Sequence, residues 1–322
     1  MIIDVGYIVS IPATSVSIIV PIFNCENYLL DCLNSIKNQS YQDFELILIN
    51  DASTDNTQDI IDDFLQKNKE LNIRTYKNDS NKGDCFSRNL GIEKSLGEFI
   101  CFCDADDFYH PLFLESMLSE IIKFKDLVYC GYDILNTISR KTILYENRWQ
   151  YINNSKKIIS YYLQSRIHFA HVGAVYRKSF LIEKNIKYNE NTSHGSDLEF
   201  VCNILLSSAR CGCVQKSLYY YRIRTGSITT SLDAKKVMEP IYCFRRIIKK
   251  INNPILKYKF ITGHYSSCIY HLITEVYTYQ IPVKHSVSTK IKFSFLSYIH
   301  IIKKKYLFSK DTYKYLFHYI TL

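Results

Sequence analysis

The chain has 322 residues, with 40 Lys and Arg against 31 Asp and Glu and a formal net charge of +9. The positive excess lies in residues 231–322, which carry 16 basic and 4 acidic side chains, a net charge of +12. Residues 1–230 carry 24 basic and 27 acidic side chains, a net charge of −3, which disfavours a nucleic-acid enzyme with a basic active-site groove. A hydrophobic content of 47% excludes global disorder.

The cysteines and the apolar runs indicate the cellular compartment. The 11 cysteines include no C-x-x-C pair, and the two C-x-C pairs, Cys101/Cys103 and Cys211/Cys213, fall in strand-like runs whose alternation points both thiols to one side. We expect buried free thiols in a reducing cytoplasm. Residues 1–10 lack the basic start of a signal peptide, and no run reaches the roughly 18 apolar residues of a spanning helix. The predicted location is the cytoplasm, either in solution or on the inner face of the cell membrane.

In chain order, the first hundred residues alternate between short apolar runs and longer amphipathic ones. This pattern predicts strands at residues 16–23, 44–50, 73–76 and 98–103, and helices at residues 25–39, 60–65 and 85–95. The alternation is typical of a parallel α/β sheet. Asp51 follows the second strand, and Asp104 and Asp106 follow the fourth, at the carboxyl ends where such sheets bind nucleotides.

The rest of the chain is predicted to be more helical. Between residues 109 and 230 the pattern predicts helices at residues 111–124, 155–164 and 197–207, and strands at residues 127–135 and 214–221. From residue 232 onward it is helical throughout, with one apolar stripe formed by Ile241, Phe244, Ile247, Ile248 and Ile251. Basic side chains flank this stripe.

The strongest chemical signal is the run Asp104-Ala105-Asp106-Asp107 at a strand end. Carboxylates gathered in this way repel one another and are hard to desolvate unless a cation offsets them. Mg²⁺ or Mn²⁺ with oxygen ligands does so, typically between carboxylates and the phosphates of a substrate. The alternative is a solvated turn whose Asp residues cap the following helix. The D-x-D pattern alone does not decide between these two interpretations.

Further segments match one pattern in the same order as a known family. They are residues 17–24 (SIIVPIFN), 49–57 (INDASTDNT), 81–97 (NKGDCFSRNLGIEKSLG), 99–108 (FICFCDADDF), 194–200 (HGSDLEF) and 219–229 (YYYRIRTGSIT). Together they resemble the family 2 glycosyltransferases, which have the GT-A fold and invert the anomeric centre. The resemblance covers residues 15–230. It implies an α/β fold with a mostly parallel central sheet and flanking helices, followed here by a C-terminal helical region.

The resemblance also implies a domain organisation. Residues 1–230 would be the GT-A catalytic domain, with a nucleotide-sugar half at residues 15–108 and an acceptor half at residues 109–230. Residues 231–322 would form the basic helical region.

On this resemblance, the first three segments form the nucleotide site. Pro21, Phe23 and Asn24 would line the base, and Asp51 would hydrogen-bond the uracil edge. The family commonly has Asp-Asp-Gly where this chain has Asn50-Asp51-Ala52, and Asn50 keeps a polar acceptor.

The third segment would contact the base and the diphosphate through Lys82, Gly83 and Arg88. The alternative for Lys82 and Arg88 is an ordinary helix start.

The D-x-D run and the segment at residues 219–229 would hold the metal and the diphosphate. Asp104 would contact the ribose and approach the metal, Asp106 would ligate the metal directly, and Ala105 lies between them in the donor site. Asp107 would support the loop.

Arg222, Arg224 and Ser227 would neutralise or hydrogen-bond the phosphates. Some relatives have a metal-binding His at the position of Arg224, so the third metal ligand stays open, and Arg224 would supply part of the cation charge. The alternative for this segment is a basic surface turn.

Asp197 resembles the catalytic base of the family, which takes the proton of the acceptor hydroxyl. The family pattern is Glu-Asp, whereas this chain has Ser196-Asp197, which puts a sugar or acceptor contact in doubt. Glu199 is the alternative base, but two residues along a helix it would point about 200° away.

The function implied is transfer of one hexosyl or N-acetylhexosaminyl group from a nucleotide-diphosphate sugar, a UDP-sugar, to a hydroxyl of a saccharide or lipid-linked acceptor in surface polysaccharide synthesis. Two alternatives stand beside it. One is a non-catalytic nucleotide-sugar-binding scaffold, for which Ser196 leaves room. The other is a sugar nucleotidyltransferase, disfavoured because residues 23–28 (FNCENY) contain no Gly.

The basic tail has two compatible interpretations. It is either a helical bundle with a solvated basic face or a contact with anionic inner-leaflet lipid.

Overall fold

The computed structural model describes residues 16–136, 141–143, 154–164, 167, 169–192, 194–224 and 234–261. Its strands are β1 (Val16–Ile22), β2 (Phe44–Asn50), β3 (Ile73–Lys77), β4 (Phe99–Phe102), β5 (Phe108–Tyr109), β6 (Leu127–Asn136), β7 (Lys141–Ile143), β8 (Ala174–Arg177) and β9 (Cys211–Ile223). Its helices are α1 (Leu29–Lys37), α2 (Thr57–Lys67), α3 (Asp84–Lys94), α4 (Phe113–Ile121), α5 (Ser155–Tyr162), α6 (Lys178–Glu183), α7 (Ser196–Leu206), α8 (Ala234–Lys250) and α9 (Pro254–Phe260), with a 3₁₀ turn at His171–Gly173.

All these strands belong to one sheet in the order β3-β2-β1-β4-β8-β6-β9-β5, with β7 beside β6. The strands β3, β2, β1 and β4 are mutually parallel. Beyond β4 the sheet is mixed, because β8 runs antiparallel to both β4 and β6, whereas β9 is parallel to β6. The predicted α/β fold with flanking helices is confirmed, and the parallel pairing is concentrated in its first half.

The central strands form where apolar residues run without a break. Every residue of β2 is buried, and so is every residue of β1 except Pro21, which is half-buried. Continuous apolar runs of this kind are typical of parallel strands covered by helices on both faces. The helix α1 supplies part of that cover, with Leu29, Cys32, Leu33 and Ile36 buried.

The strand order changes direction beside β1, because β2 and β3 lie on one side of it and β4 on the other. Ligands of open α/β sheets bind at such a switch point, outside the carboxyl ends of the strands. Ile22 of β1 pairs with Asn50 of β2, and Ile19 pairs with Phe102 of β4. The loops that follow β1, β2 and β4 therefore meet at one edge of the sheet.

The elements that periodicity did not predict are short. They are β5, β7, β8 and α6, with between two and six residues each. Segments of that length contain too few residues to show a helical or strand period. They nevertheless matter, because β5 pairs with β9 and thereby places residue 222 and its neighbours beside the loop after β4.

The start of the basic C-terminal region packs into the core of the preceding part. Phe244, Ile247, Ile251 and Phe260 are buried in the same apolar cluster as the central strands, as expected for the first three from the predicted stripe. Residues 262–322 lie outside the described residues. Within the described part, no helix is long and apolar enough to cross a membrane.

The prediction of free, buried thiols is confirmed for the described cysteines. None of these ten forms a disulfide bond, and all are buried, including Cys101 in β4 and Cys103 after it. Burial raises the pKa of the Cys101 thiol to about 12, which keeps it protonated and unreactive at neutral pH.

Candidate active site

The loops after β1 and β2 are tied together at the switch point. Asn24 adopts a positive φ of 45°, its backbone N–H donates to Ser53 Oγ at 3.0 Å, and its Oδ1 accepts from the Thr54 amide at 2.8 Å. Phe23 stands beside this junction with 45% of its surface exposed. An exposed aromatic ring on a fixed loop is a suitable surface for a nucleotide base, the role predicted for Pro21, Phe23 and Asn24.

Asp51 is buried and organises the loop that precedes α3. Its carboxylate accepts hydrogen bonds from Asn78 Nδ2 at 2.6 Å, from the Lys82 amide at 2.9 Å and from the Gly83 amide at 2.8 Å. Gly83 has a φ of 88°, a conformation that favours glycine. A carboxylate has about four acceptor positions, so one stays available to a ligand. The contact of Asp51 with a base stays a prediction.

Arg88 is buried and forms an ion pair with Asp104, the first carboxylate of the D-x-D run. Its guanidinium pairs with Asp84 and with Asp104, the second at 2.7 Å between Nη2 and Oδ1. The side chain is only 6% exposed and lies 5.4 Å from the centre of the Tyr188 ring. Direct contact of Arg88 with base and diphosphate stays a prediction, whereas the structure places its contact on Asp104. Lys82 lies nearer the surface, with Nζ 2.9 Å from Asp79 Oδ1.

Each carboxylate of the D-x-D run has a different partner. Asp104 meets Arg88, and Asp106 Oδ2 lies 2.7 Å from Arg224 Nε. Asp107 is buried, accepts from the Tyr219 hydroxyl and accepts from the Arg222 amide at 2.7 Å. These bonds join the loop to β9, in agreement with the supporting role predicted for Asp107.

The environments of the three carboxylates differ, and so do their pKa values. Burial alone would raise the pKa of Asp104, but the Arg88 guanidinium outweighs it and holds the pKa below its usual range. Burial and then the neighbouring Asp104 raise the pKa of Asp106, against the opposing effect of Arg224. Burial, Asp104 and Asp106 raise the pKa of Asp107 well above its usual range. A cation bound beside these crowded carboxylates would offset their mutual repulsion.

Asp104 and Asp106 alone do not make a complete metal site. Among the described residues, no group of three or more His, Cys, Asp or Glu side chains is arranged to hold an ion. Mg²⁺ and related ions are often bound by one or two carboxylates together with substrate phosphates. The residues present therefore fit a divalent ion whose coordination is completed by a nucleotide diphosphate.

Two arginines at the end of β9 face this cluster. Both Arg222 and Arg224 have their guanidinium carbon 5.1 Å from the centre of the Tyr28 ring. Arg222 Nη2 pairs with Asp31 Oδ2 at 3.0 Å. Ser227, the third predicted phosphate contact, lies outside the described residues.

The helix α7 separates the two candidate bases. It begins after Gly195, which has a φ of 80°. Asp197 is exposed in its first turn. Glu199 is buried, and Arg246 of α8 donates to both of its oxygens, at 2.9 Å from Nε to Oε1 and 2.7 Å from Nη2 to Oε2. Glu199 is occupied by this ion pair, so Asp197 is the more accessible of the two carboxylates; its role as the base stays a prediction.

A residue that the sequence did not single out, His171, packs beside β4, with its ring centre 6.5 Å from that of Phe102. His171 is buried, and burial together with Arg88 lowers its pKa, so the imidazole is neutral. Asp104 and Asp197 act in the opposite direction on the same pKa. In the described part of the chain, His171 Nε2, Arg88 Nε and Tyr188 Oη are buried without a hydrogen-bond partner. No motif marks His171, because its position beside β4 depends on the pairing of β8 with that strand.

Comparison with known proteins agrees with this geometry. Residues 17–183 match the model of glycosyl transferase family 2. EpsH of Bacillus subtilis (strain 168), provisionally named a glycosyltransferase, is 28% identical over 266 residues, which are 79% of this chain and 76% of EpsH. The glycosyltransferase GlyA of Streptococcus pneumoniae serotype 4 is 29% identical over 223 residues, 66% of this chain but only 31% of GlyA.

A solved structure shares the fold. The crystal structure of S. aureus TarS 1–349 in complex with UDP-GlcNAc superposes with a TM-score of 0.68 at 21% identity, covering 84% of this chain and 77% of that one. The likeness confirms the predicted GT-A fold. Since the matched family segment spans half of the chain, the protein belongs to glycosyl transferase family 2 and is a glycosyltransferase.

Proposed function

We propose that the protein transfers one sugar from a UDP-sugar to a hydroxyl of a saccharide or lipid-linked acceptor, with inversion at the anomeric carbon and with Mn²⁺ or Mg²⁺. The observation that carries the proposal is the packing of α7, whose first turn contains Asp197, against β4, which leads into Asp104: the ring centres of Phe200 and Phe102 lie 6.1 Å apart. One carboxylate belongs to the predicted donor site and the other is the predicted base. A sugar bound between them would have the leaving group on one side and the acceptor on the other.

The donor half is supported by the charges around it. Phe23 and Asn24 would line the base, and Asp51 would contact its edge. Arg222 and Arg224 would neutralise the diphosphate, because arginine binds phosphate oxygens in a bidentate manner. A divalent ion held by Asp104 and Asp106 would stabilise the negative charge that develops on the leaving group.

The chemical step needs one proton acceptor and no covalent intermediate. Asp197 takes the proton of the acceptor hydroxyl while the oxygen of that hydroxyl forms a bond to the anomeric carbon. The bond between that carbon and the diphosphate breaks, and its electron pair leaves with UDP. Attack from the side opposite the leaving group inverts the configuration.

The choice of donor follows from the relatives. The TarS structure contains UDP-GlcNAc, so this is the first donor to test, ahead of UDP-hexoses. Assembly of a bacterial surface polysaccharide is the setting we propose.

A panel of nucleotide sugars tests the proposal. Release of the nucleoside diphosphate is measured with Mn²⁺ and with saccharide or lipid-linked acceptors. The proteins are the wild type, Asp106→Ala, Asp197→Asn and the control Asp63→Asn. Asp63 is an exposed carboxylate of α2 that pairs with Lys67. We expect Asp197→Asn to lower kcat by about 10²- to 10⁴-fold while UDP affinity is kept, and Asp106→Ala to weaken metal-dependent UDP binding. Full transfer by Asp197→Asn would show that the base is wrongly assigned.

A further inference from the structure

Arg224 lies on the carboxylate assigned to the metal. We propose that Arg224 competes with the divalent ion for Asp106, so that the protein binds the ion appreciably only together with the nucleotide diphosphate, which draws the guanidinium away. The inference rests on the metal-dependent function proposed above. It concerns the order and coupling of binding, which that function leaves open.

The contact between the two residues is direct and shielded from water. Arg224 Nε lies 2.7 Å from Asp106 Oδ2, and the two side chains are 18% and 21% exposed. The guanidinium also lies over the Tyr28 ring, at 5.1 Å from its centre. A charge-assisted hydrogen bond at this depth is stronger than one at the surface. A metal ion that approaches Asp106 must therefore displace a well-held cation.

The remaining ligands do not relieve this competition. Asp104 is engaged by Arg88 at 2.7 Å between Nη2 and Oδ1. In the described ranges no third carboxylate, His or Cys joins the pair to form a metal-holding group. The protein alone thus offers a divalent ion two carboxylates, and each of them already has an arginine partner.

A nucleotide diphosphate alters this competition in two ways, by offering acceptors to Arg224 and ligands to the metal ion. Its oxygens are alternative acceptors for Arg224, because a guanidinium binds phosphate as readily as carboxylate. Transfer of Arg224 to the diphosphate releases Asp106, and the phosphates supply the ligands that the protein lacks. Metal and nucleotide then increase the affinity of each other by the same factor, as linkage requires, typically about 5- to 150-fold.

Arg222 provides a matched control. Its guanidinium carbon lies 5.1 Å from the centre of the same Tyr28 ring. Its Nη2, however, pairs with Asp31, a carboxylate that is 64% exposed, and not with Asp106. Replacing Arg222 removes the same charge from the same end of β9 without releasing Asp106.

The test is a titration of the full chain with Mn²⁺, followed by calorimetry or by the electron spin resonance of free Mn²⁺, in the presence and absence of UDP. The proteins are the wild type, Arg224→Gln, Arg224→Lys, Arg222→Gln and Asp106→Asn, each checked for a native thermal transition. Without UDP, we expect Arg224→Gln to bind Mn²⁺ about tenfold more tightly than the wild type. Also without UDP, Arg224→Lys and Arg222→Gln should match the Mn²⁺ affinity of the wild type. Asp106→Asn should bind Mn²⁺ weakly with and without UDP.

Three results would overturn the proposal, and they separate it from the proposed function. Equal Mn²⁺ affinity of Arg224→Gln and the wild type without UDP removes the competition and leaves metal dependence intact. An equal gain in Arg222→Gln shows a general charge effect and not release of Asp106. Absence of Mn²⁺ binding in every protein, even with UDP, rejects metal dependence itself and the competition with it.

Discussion

At the scale of single residues, two carboxylates on one helix differ in exposure and in their partners. Asp197 is exposed in the first turn of α7, whereas Glu199 is buried against Arg246. Their separation of two positions directs them to different sides of the helix. Glu199 forms an ion pair with Arg246 of α8, whereas Asp197 is exposed and is the base that we propose.

Glu199→Gln tests this division of roles. The change removes the charge that Arg246 neutralises, and we expect a loss of about 1–3 kcal/mol in the free energy of unfolding, because a charged partner is left with weaker hydrogen bonds. The kcat for sugar transfer should stay within about threefold of the wild type, since a group outside the chemical step contributes little to it. Urea unfolding and steady-state kinetics measure the two effects. A large loss of kcat with unchanged stability would instead point to Glu199 as the base.

At the scale of elements, a buried glutamate connects the strands that carry the site. Glu45 of β2 accepts from Ser17 Oγ at 2.5 Å, from the Gly97 amide at 3.3 Å and from Arg74 at 3.2 Å. Gly97 has no room for a side chain, because a Cβ atom there would lie 2.7 Å from the Ser17 nitrogen. This network holds the turn that leads into β4, the strand whose carboxyl end carries the D-x-D run.

The stability contributed by Glu45 should depend on pH. Burial alone would raise its pKa, but the hydrogen bonds from Ser17, the Leu96 amide and Arg74 outweigh burial and lower it. A carboxyl whose folded pKa is lowered stabilises the fold above its unfolded pKa of about 4.3, and that contribution is lost as the pH falls through the folded value. Between about pH 6 and about pH 3, we expect the urea midpoint of Glu45→Gln to fall less than that of the wild type. Parallel acid profiles of the two proteins would contradict this role.

At the scale of the whole molecule, the charge is divided between an acidic body and a basic tail of +12. The described part of that tail exposes Tyr242, Ile255 and Tyr258. Tyr242 and Lys249 are seven positions apart on α8 and therefore share a face. Aromatic and basic side chains on one face suit a contact with anionic lipid, which is the membrane interaction we propose.

Vesicle flotation tests the membrane contact. The full chain should float with vesicles that contain anionic lipid at low salt and not with neutral ones, since each basic residue near the surface contributes about 1 kcal/mol. Replacing Lys249, Lys250 and Lys257 by Gln should reduce binding strongly. The matched replacement of Lys67 on α2, Lys94 on α3 and Lys123 just after α4 should have little effect. Equal flotation of the two triple variants would locate the contact elsewhere or reject it.

Much of the nucleotide half was predictable because its signals are local. A continuous apolar run becomes a buried parallel strand, and the residue that follows the run lies at the carboxyl edge of the sheet. Asp51, Asp104 and Asp106 reach this edge in that way. The acceptor half was less predictable, because β5 and β8 are short and their positions depend on pairing with distant strands.

The sequence by itself determined the family, the order of strands and helices along the first hundred residues, and the residue types that meet at the sheet edge. It could do so because periodicity and motifs are properties of neighbouring residues. Only the tertiary structure decided which charges pair: Arg88 with Asp104, Arg224 with Asp106 and Arg246 with Glu199. These partners are 16, 118 and 47 positions apart. The energy of an ion pair depends on distance in space and on burial, and neither can be obtained from separation along the chain.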